Sequence, residues 1–272
     1  MLKTRVLTAL ALLALILLVV YSGSFLAAAV VAALFLGAAM WESMRLFGSR
    51  RPLVGAAIWT VAFCLIIYYQ SRFAAPLLLI ACALIWGLRL APSLAFGLPP
   101  VEGLRNRLLG GIYCVGILGC FVAILLLYQY SPLYLLSVMA IVWVADIGAY
   151  FAGRAYGKRK LAPSISPGKS WEGAIGGWLA VLALSAACVF VPALQVTFSA
   201  QLQAGLGWIG WLAVLTLLAA ASVVGDLFES QLKRRAGMKD SSRLLPGHGG
   251  VLDRIDALIP VLPLALLVHS RF

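Results

Sequence analysis

The sequence predicts an all-α, polytopic integral membrane protein with about nine membrane-crossing helices. Hydrophobic residues make up 63% of the chain and charged residues only 11%, against roughly 25% charged in soluble domains. Apolar runs recur from end to end, each near the roughly 20 residues that cross a bilayer. Lysines and arginines gather in alternate connections between those runs, the pattern that orients helices in a membrane. A membrane β-barrel would show short alternating segments instead.

The runs lie near 6–21, 24–40, 53–70, 74–90, 108–128, 132–152, 172–192, 207–229 and 252–268. The first is expected to be a retained helix: no small-residue cleavage site with a soluble domain follows it, and the second run starts almost at once. Runs two, four, six and eight are followed by Arg45, Arg50 and Arg51; Arg89, Arg105 and Arg107; Arg154 through Lys169; and Lys233 through Arg243. Lys3 and Arg5 precede the first run, and the other connections hold one basic residue, Arg72. The N-terminus is therefore expected in the cytoplasm and the C-terminus outside, with Ser241 on the cytoplasmic side and Gln201 on the outer side. The uncharged 193–206 connection is expected as an outer, interfacial segment. The net charge of +12 is assigned to these loops and to anionic lipid heads, with no nucleic-acid partner. Cys64, Cys82, Cys114, Cys120 and Cys188 sit in apolar runs without zinc-ligand spacing and read as small hydrophobes, with no disulfide. Residues 1–130 are expected to be a scaffold of about five helices, and 131–272 a catalytic region with cytoplasmic loops.

Seven of the nine acidic residues fall in three short stretches of the second half. Ionisable groups at bilayer depth are costly and usually functional. Asp226, Glu229, Ser230 and Lys233 are spaced i, i+3, i+4, i+7 and share one helix face. That face offers hard oxygen ligands for Mg²⁺ and a lysine for phosphate, although a snorkelling helix end with a Glu229–Lys233 pair would look the same. In LPGHGGVLDRID, Gly249 and Gly250 allow backbone N–H groups to approach phosphate at the start of the last run. Asp253 and Asp256 follow on its first turn, where plain helix capping is the alternative. His248, in that loop, could orient a phosphate or a ligand carboxylate. Asp146 and Glu172 flank a basic stretch in which Arg154 and Lys169 are candidate phosphate contacts. Gly168-Lys169-Ser170 is not a P-loop, because the longer glycine pattern is missing and no strand is expected before it. Glu42 and Glu102 lie outside these clusters.

The run from Ser230 through Lys233-Arg234, Lys239-Asp240 and Pro246-Gly247-His248-Gly249-Gly250 to Asp253-Arg254-Ile255-Asp256 resembles the signature of the phosphatidate cytidylyltransferase (CDP-diglyceride synthase) family of bacterial type, without departure over 27 positions. WVADIGAYFAGRAYGK and LAPSISPGKSWEG resemble it too. The resemblance implies that CTP and phosphatidate give CDP-diacylglycerol and pyrophosphate in phospholipid synthesis. It implies a Mg²⁺-dependent enzyme of the cell inner membrane, with K⁺ as a second metal and a homodimer. Carried onto these residues, Asp226 and Asp253 are the first metal ligands, followed by Asp256 and Glu229, while Lys233, Lys239 and Arg254 hold the triphosphate. Ser230, Lys169 and Arg154 contact phosphate of either substrate, and Asp146 is a second-shell acid or ligand of the second metal. The acyl chains are expected to enter between the sixth to ninth runs. Two other readings stay open: a CTP-dependent kinase of a polyprenol-type lipid alcohol, and a transporter of a phosphorylated solute, against which the one-sided acids and the lack of repeats both stand.

Overall fold

The structure is a computed structural model that describes residues 2–69 and 74–270; Arg72 lies outside them. Helices α1 (Leu2–Ser22), α2 (Phe25–Leu46), α3 (Pro52–Tyr69) and α4 (Ala74–Ile85) come first. A π-helical turn, Trp86–Leu90, carries α4 into α5 (Ala91–Phe96). There follow α6 (Leu104–Tyr130), α7 (Pro132–Tyr156), the antiparallel hairpin of β1 (Lys160–Ala162) and β2 (Ser166–Ser170), α8 (Trp171–Phe190), α9 (Phe198–Arg235), α10 (Leu252–Ile255) and α11 (Leu258–His269).

Among the described residues eight segments are long and apolar enough to cross a membrane, with α4 and α5 counted as one. The all-α, multi-pass architecture is as the sequence predicts. The ninth run differs: it divides into α10 and a 12-residue α11. Its hydropathy reflects burial in protein, since Leu258, Ile259, Val261, Leu262 and Ala265 are all within 3% of full burial. Its short length has a geometric reason. Asp226 lies nine residues before the end of α9, and Asp146 ten before the end of α7. At about 1.5 Å per residue, both carboxylates stand roughly 14–15 Å below those helix ends. The 236–257 connection descends to meet them, with the Asp256 carbonyl packed on Gly225. α11 therefore starts near half depth, and about 18 Å of helix completes the path. Non-helical backbone at this depth is tolerable only where protein surrounds it.

α6 is the central post, with Tyr113, Ile117, Cys120, Leu125 and Leu127 fully buried. Its Tyr113 ring meets Phe228 of α9 at 5.0 Å, and Phe228 meets Trp86 edge-on at 5.7 Å. α7 and α8 pack backbone to backbone through small residues, the usual device between membrane helices. A Cβ on Gly148 would stand 2.8 Å from the Ala180 Cβ and 3.1 Å from the Gly177 Cα. That closeness fixes Asp146 relative to the hairpin before α8.

Two connections depart from expectation. The 193–206 segment is more regular than a plain connection: after a 3-10 turn it forms the first part of α9, which kinks at Gly207 (φ 66°). Buried Phe198 packs on Tyr134, and Ser137 and Tyr130 of the α6–α7 turn bond the Phe198 amide and Gln201. Residues 197–200 and 202 are buried there, while 204–206 are exposed. The second departure is the hairpin, since a strand does precede Gly168 and Lys169 stands on β2 itself. Strands of three and five residues leave little sequence signal, and the P-loop arrangement is still not formed.

Candidate active site

Asp226 and Glu229 project from the last turns of α9 as their spacing requires. Lys233 Nζ, one turn further on, donates to Glu229 Oε2 (2.8 Å) and to Asp253 Oδ1 (2.6 Å). Lys169, brought in by β2, donates to Asp226 Oδ2 (2.6 Å). The Ser230 hydroxyl donates to Asp226 Oδ1 (3.3 Å). The two lysines thus join three chain segments that the sequence shows only as separate motifs.

Asp253 is occupied on both oxygens. Besides Lys233 on Oδ1, its Oδ2 accepts from the Gly250 amide (2.8 Å), the Ser241 amide (2.8 Å) and the Ser241 hydroxyl (2.9 Å). Burial opposes its charge, but the bonds from Lys233, Gly250 and Ser241 prevail and hold its carboxyl below the usual range. Asp256 goes the other way: burial first, and then the Asp226 carboxylate, push its carboxyl above the usual range. Neither residue lies on a membrane-crossing helix. Asp256 also accepts from the Ala257 amide (2.8 Å).

The glycine loop is arranged differently from the phosphate cradle its sequence suggests. Its amides turn inward: Gly250 N–H to Asp253, Val251 N–H (3.0 Å) and Leu252 N–H (2.6 Å) to Glu42. Glu42, fully buried near the end of α2, also accepts from the Ser242 hydroxyl. The anion at the start of α10 is therefore a carboxylate of the chain itself. Sequence reading set Glu42 aside because it lies outside the three acidic stretches of the second half. Its signal was there: an acid near the end of an otherwise apolar membrane helix needs a partner.

Gly249 has φ +87°, and a Cβ there would sit 2.7 Å from Asp253 Oδ2. Gly249→Ala is expected to cost about 1–3 kcal/mol in strain and to turn Asp253 off Lys233. A lowered melting temperature in detergent together with lowered turnover checks this; an unchanged melting temperature would contradict it. His248 is half-buried, its amide bonded to the Leu245 carbonyl (2.8 Å), and its Nδ1 is buried without a hydrogen bond. Ser241, expected at the cytoplasmic surface, is fully buried.

Asp146, Asp226, Asp253, Asp256, Arg154, Lys169 and Arg254 line one cavity of about 660 Å³ between α7, α8 and α9. Arg154 is held by the Tyr150 hydroxyl (3.3 Å). Glu172 accepts from the Arg159 side chain (3.2 Å) and from the Lys158 and Arg159 amides, pinning the hairpin to the start of α8. Lys239 does not reach this cavity; with Trp41, Arg45 and Arg243 it lines another of about 640 Å³. A third cavity, apolar and about 420 Å³, lies between α1, α2, α6 and α7 and touches the same Asp146, Asp253, Arg254 and Asp256. An apolar path to the carboxylates thus runs beside the first, second, fifth and sixth runs, in addition to the cavity between the sixth to eighth. Among the described residues no three His, Cys, Asp or Glu side chains converge in metal-ligand geometry.

Known proteins carry the same chain pattern. The family model described as the cytidylyltransferase family matches residues 3–272. The phosphatidate cytidylyltransferase of Pseudomonas aeruginosa is 42% identical over 97% of this chain and 95% of its own length. That of Haemophilus influenzae is 38% identical over 97% and 96%, and that of Bacillus subtilis 39% identical over 56% and 53%. With the match running nearly from end to end, and covering each carboxylate and lysine just described, the chain belongs to the cytidylyltransferase family.

Proposed function

We propose that this multi-pass membrane enzyme is a phosphatidate cytidylyltransferase, transferring the cytidylyl group of CTP to phosphatidate. The observation that carries the reading is the meeting of a polar cavity and an apolar cavity at one cluster of carboxylates and cations. Such a site can take a water-borne nucleotide and a bilayer-borne lipid together. A phosphatidate oxygen attacks the α-phosphorus of CTP in line; the new O–P bond gives CDP-diacylglycerol, and the bond to pyrophosphate breaks. Catalysis of this kind is mainly positioning and charge neutralisation. Arg254, Lys169 and Arg154 face the cavity and contact phosphate. Lys233 is held by Glu229 and Asp253 and acts by keeping the glycine loop against α9.

The donor chemistry fits Mg²⁺. Asp226, Asp256 and Glu229 supply hard oxygens, and the buried Glu229 carboxyl stands beside that of Asp256. When bound there, the metal would neutralise charge on the transferring phosphates. Asp253 completes the set by holding the loop in place. The family resemblance further implies K⁺ and a homodimer.

Incubating membranes with labelled CTP and phosphatidate tests the reading. Lipid-dependent pyrophosphate release is expected. Release of CDP instead would favour the lipid-alcohol kinase, and no CTP turnover would leave the transporter. Asp226→Asn is expected to lower release on the order of 100-fold or more, with the melting temperature nearly kept.

The site faces the cytoplasm of the cell inner membrane in this proposal. Thr8 Oγ1 of α1 donates to the Pro246 carbonyl (2.8 Å), and the Tyr134 hydroxyl meets His269 Nδ1 (2.9 Å) at the opposite end of the bundle. These contacts support a reading with the start of α1 on the side of the loop and the end of α11 on the other. Cysteines placed at exposed Ser164 and exposed Ala204 are the appropriate reporters. Labelling of Ala204→Cys, and not Ser164→Cys, by an impermeant reagent on intact cells is expected; the reverse would invert the orientation.

A further inference from the structure

We propose that the apolar cavity between α1, α2, α6 and α7 is a chamber for an acyl chain of the lipid substrate, and that its far end sets which chain lengths are used. The proposal rests on the phosphatidate reading above.

Helix register orders the cavity by depth. On α7 the lining passes from Asp146 through Trp143 and Met139 to Leu135. Those eleven positions span roughly 16 Å at about 1.5 Å per residue. On α1 and α2 it ends at Val19, Val20 and Ala28. The mouth is polar, formed by Asp146, Arg254 and Asp256. Asp253 also belongs to the mouth and the Trp143 indole stands next to it, while at the far end Tyr128 donates its hydroxyl to the Val19 carbonyl (2.9 Å). Everything between is apolar.

Away from its mouth, a half-open apolar recess of about 420 Å³ offers few partners for ordered water. The occupant must be apolar, and it must be compatible with a mouth shared with the phosphate-binding cavity. A phosphatidate whose phosphate rests at Arg254 directs a chain into this space. α1 forms the outer wall. Most of its surface is exposed, and it is clasped near its two ends, by Thr8 to the Pro246 carbonyl and by Tyr128 to its own Val19 carbonyl. The chamber is therefore closed by a helix tied to the glycine loop, placing chain and phosphate against one structural unit.

Steady-state rates with dioctanoyl, dilauroyl, dipalmitoyl and dioleoyl phosphatidate in mixed micelles test this. Ala28→Phe fills the far end; Leu135→Ala enlarges it. For Ala28→Phe the kcat/KM ratio of dipalmitoyl to dioctanoyl substrate is expected to fall about tenfold, the effect of denying burial to roughly two methylene groups. The KM for CTP and the dioctanoyl rate should hold, which also reports an intact fold. Leu135→Ala should move the ratio the other way, and it decides the matter alone if Ala28→Phe does not fold. Chain-length profiles identical to wild type would overturn the chamber and mean that bulk lipid or a second copy of this chain covers the space. Loss of phosphatidate-dependent pyrophosphate release in the wild type would instead remove the reading beneath it.

Discussion

Asp253→Asn is expected to reduce cytidylyl transfer by at least about two orders of magnitude and to destabilise the protein as well. The Asp253 carboxylate takes Lys233 on one oxygen and three donors on the other. Asparagine keeps one acceptor and turns an NH₂ towards donors. Lys233 then retains only Glu229, and the loop loses the anion that gathers the Ser241 and Gly250 amides. Breaking a buried ion pair on one side costs about 3–5 kcal/mol. A drop in both melting temperature and pyrophosphate release is the signature; loss of activity at full stability would mean that Asp253 acts on substrate or metal alone. Asp226→Asn is the contrast, since Asp226 is half-exposed to the cavity and its partners are Lys169 and Ser230.

The second large effect is expected at Glu42. Glu42→Gln places an NH₂ among the Ser242 hydroxyl and the Val251 and Leu252 amides. A buried donor left unpaired costs about 1–3 kcal/mol, more when a charge is involved. For a chain of this size that is a fall in melting temperature of several degrees, roughly 2–4 °C per kcal/mol. Activity should fall with it, because the Gly250 amide and Ser241, which hold Asp253, belong to the same loop that Glu42 anchors through Val251, Leu252 and Ser242. Glu102→Gln, on an exposed loop, should stay within about 0.5 kcal/mol. Thermal melts of the two variants side by side test the assignment, and equal melting temperatures would refute it.

Much of this was legible in the sequence because it is written locally. Spacing of i, i+3, i+4 and i+7 puts Asp226, Glu229, Ser230 and Lys233 on one face whatever surrounds the helix. Hydropathy finds helices of membrane length for the same reason. What escaped is long-range. Glu42 lies 209 residues from Val251, and no local pattern announces that pairing. The glycine loop shows the limit on the chemical side: a run rich in glycine and followed by a helix advertises an anion site, but not that the anion is the chain's own carboxylate. The separation of Lys239 from the carboxylate cavity is of the same kind, because the path of the 236–250 connection depends on what it packs against. α11 was misjudged in length since a buried apolar helix and a lipid-facing one share a composition.

The half-length α11 and the descending 236–257 connection also constrain how this protein comes into being. A polar segment bearing Lys239, Asp240, Arg243, Asp253 and Arg254 has no stable place in bare lipid. It can reach its depth only after neighbouring helices have made a protein-lined recess for it. Insertion of the long helices and seating of this connection are then separate events, in that order. α11, too short to hold itself across a bilayer, is placed by its neighbours and not by the insertion machinery's reading of hydropathy. The chemistry of the enzyme is thus installed last, into a bundle that already stands.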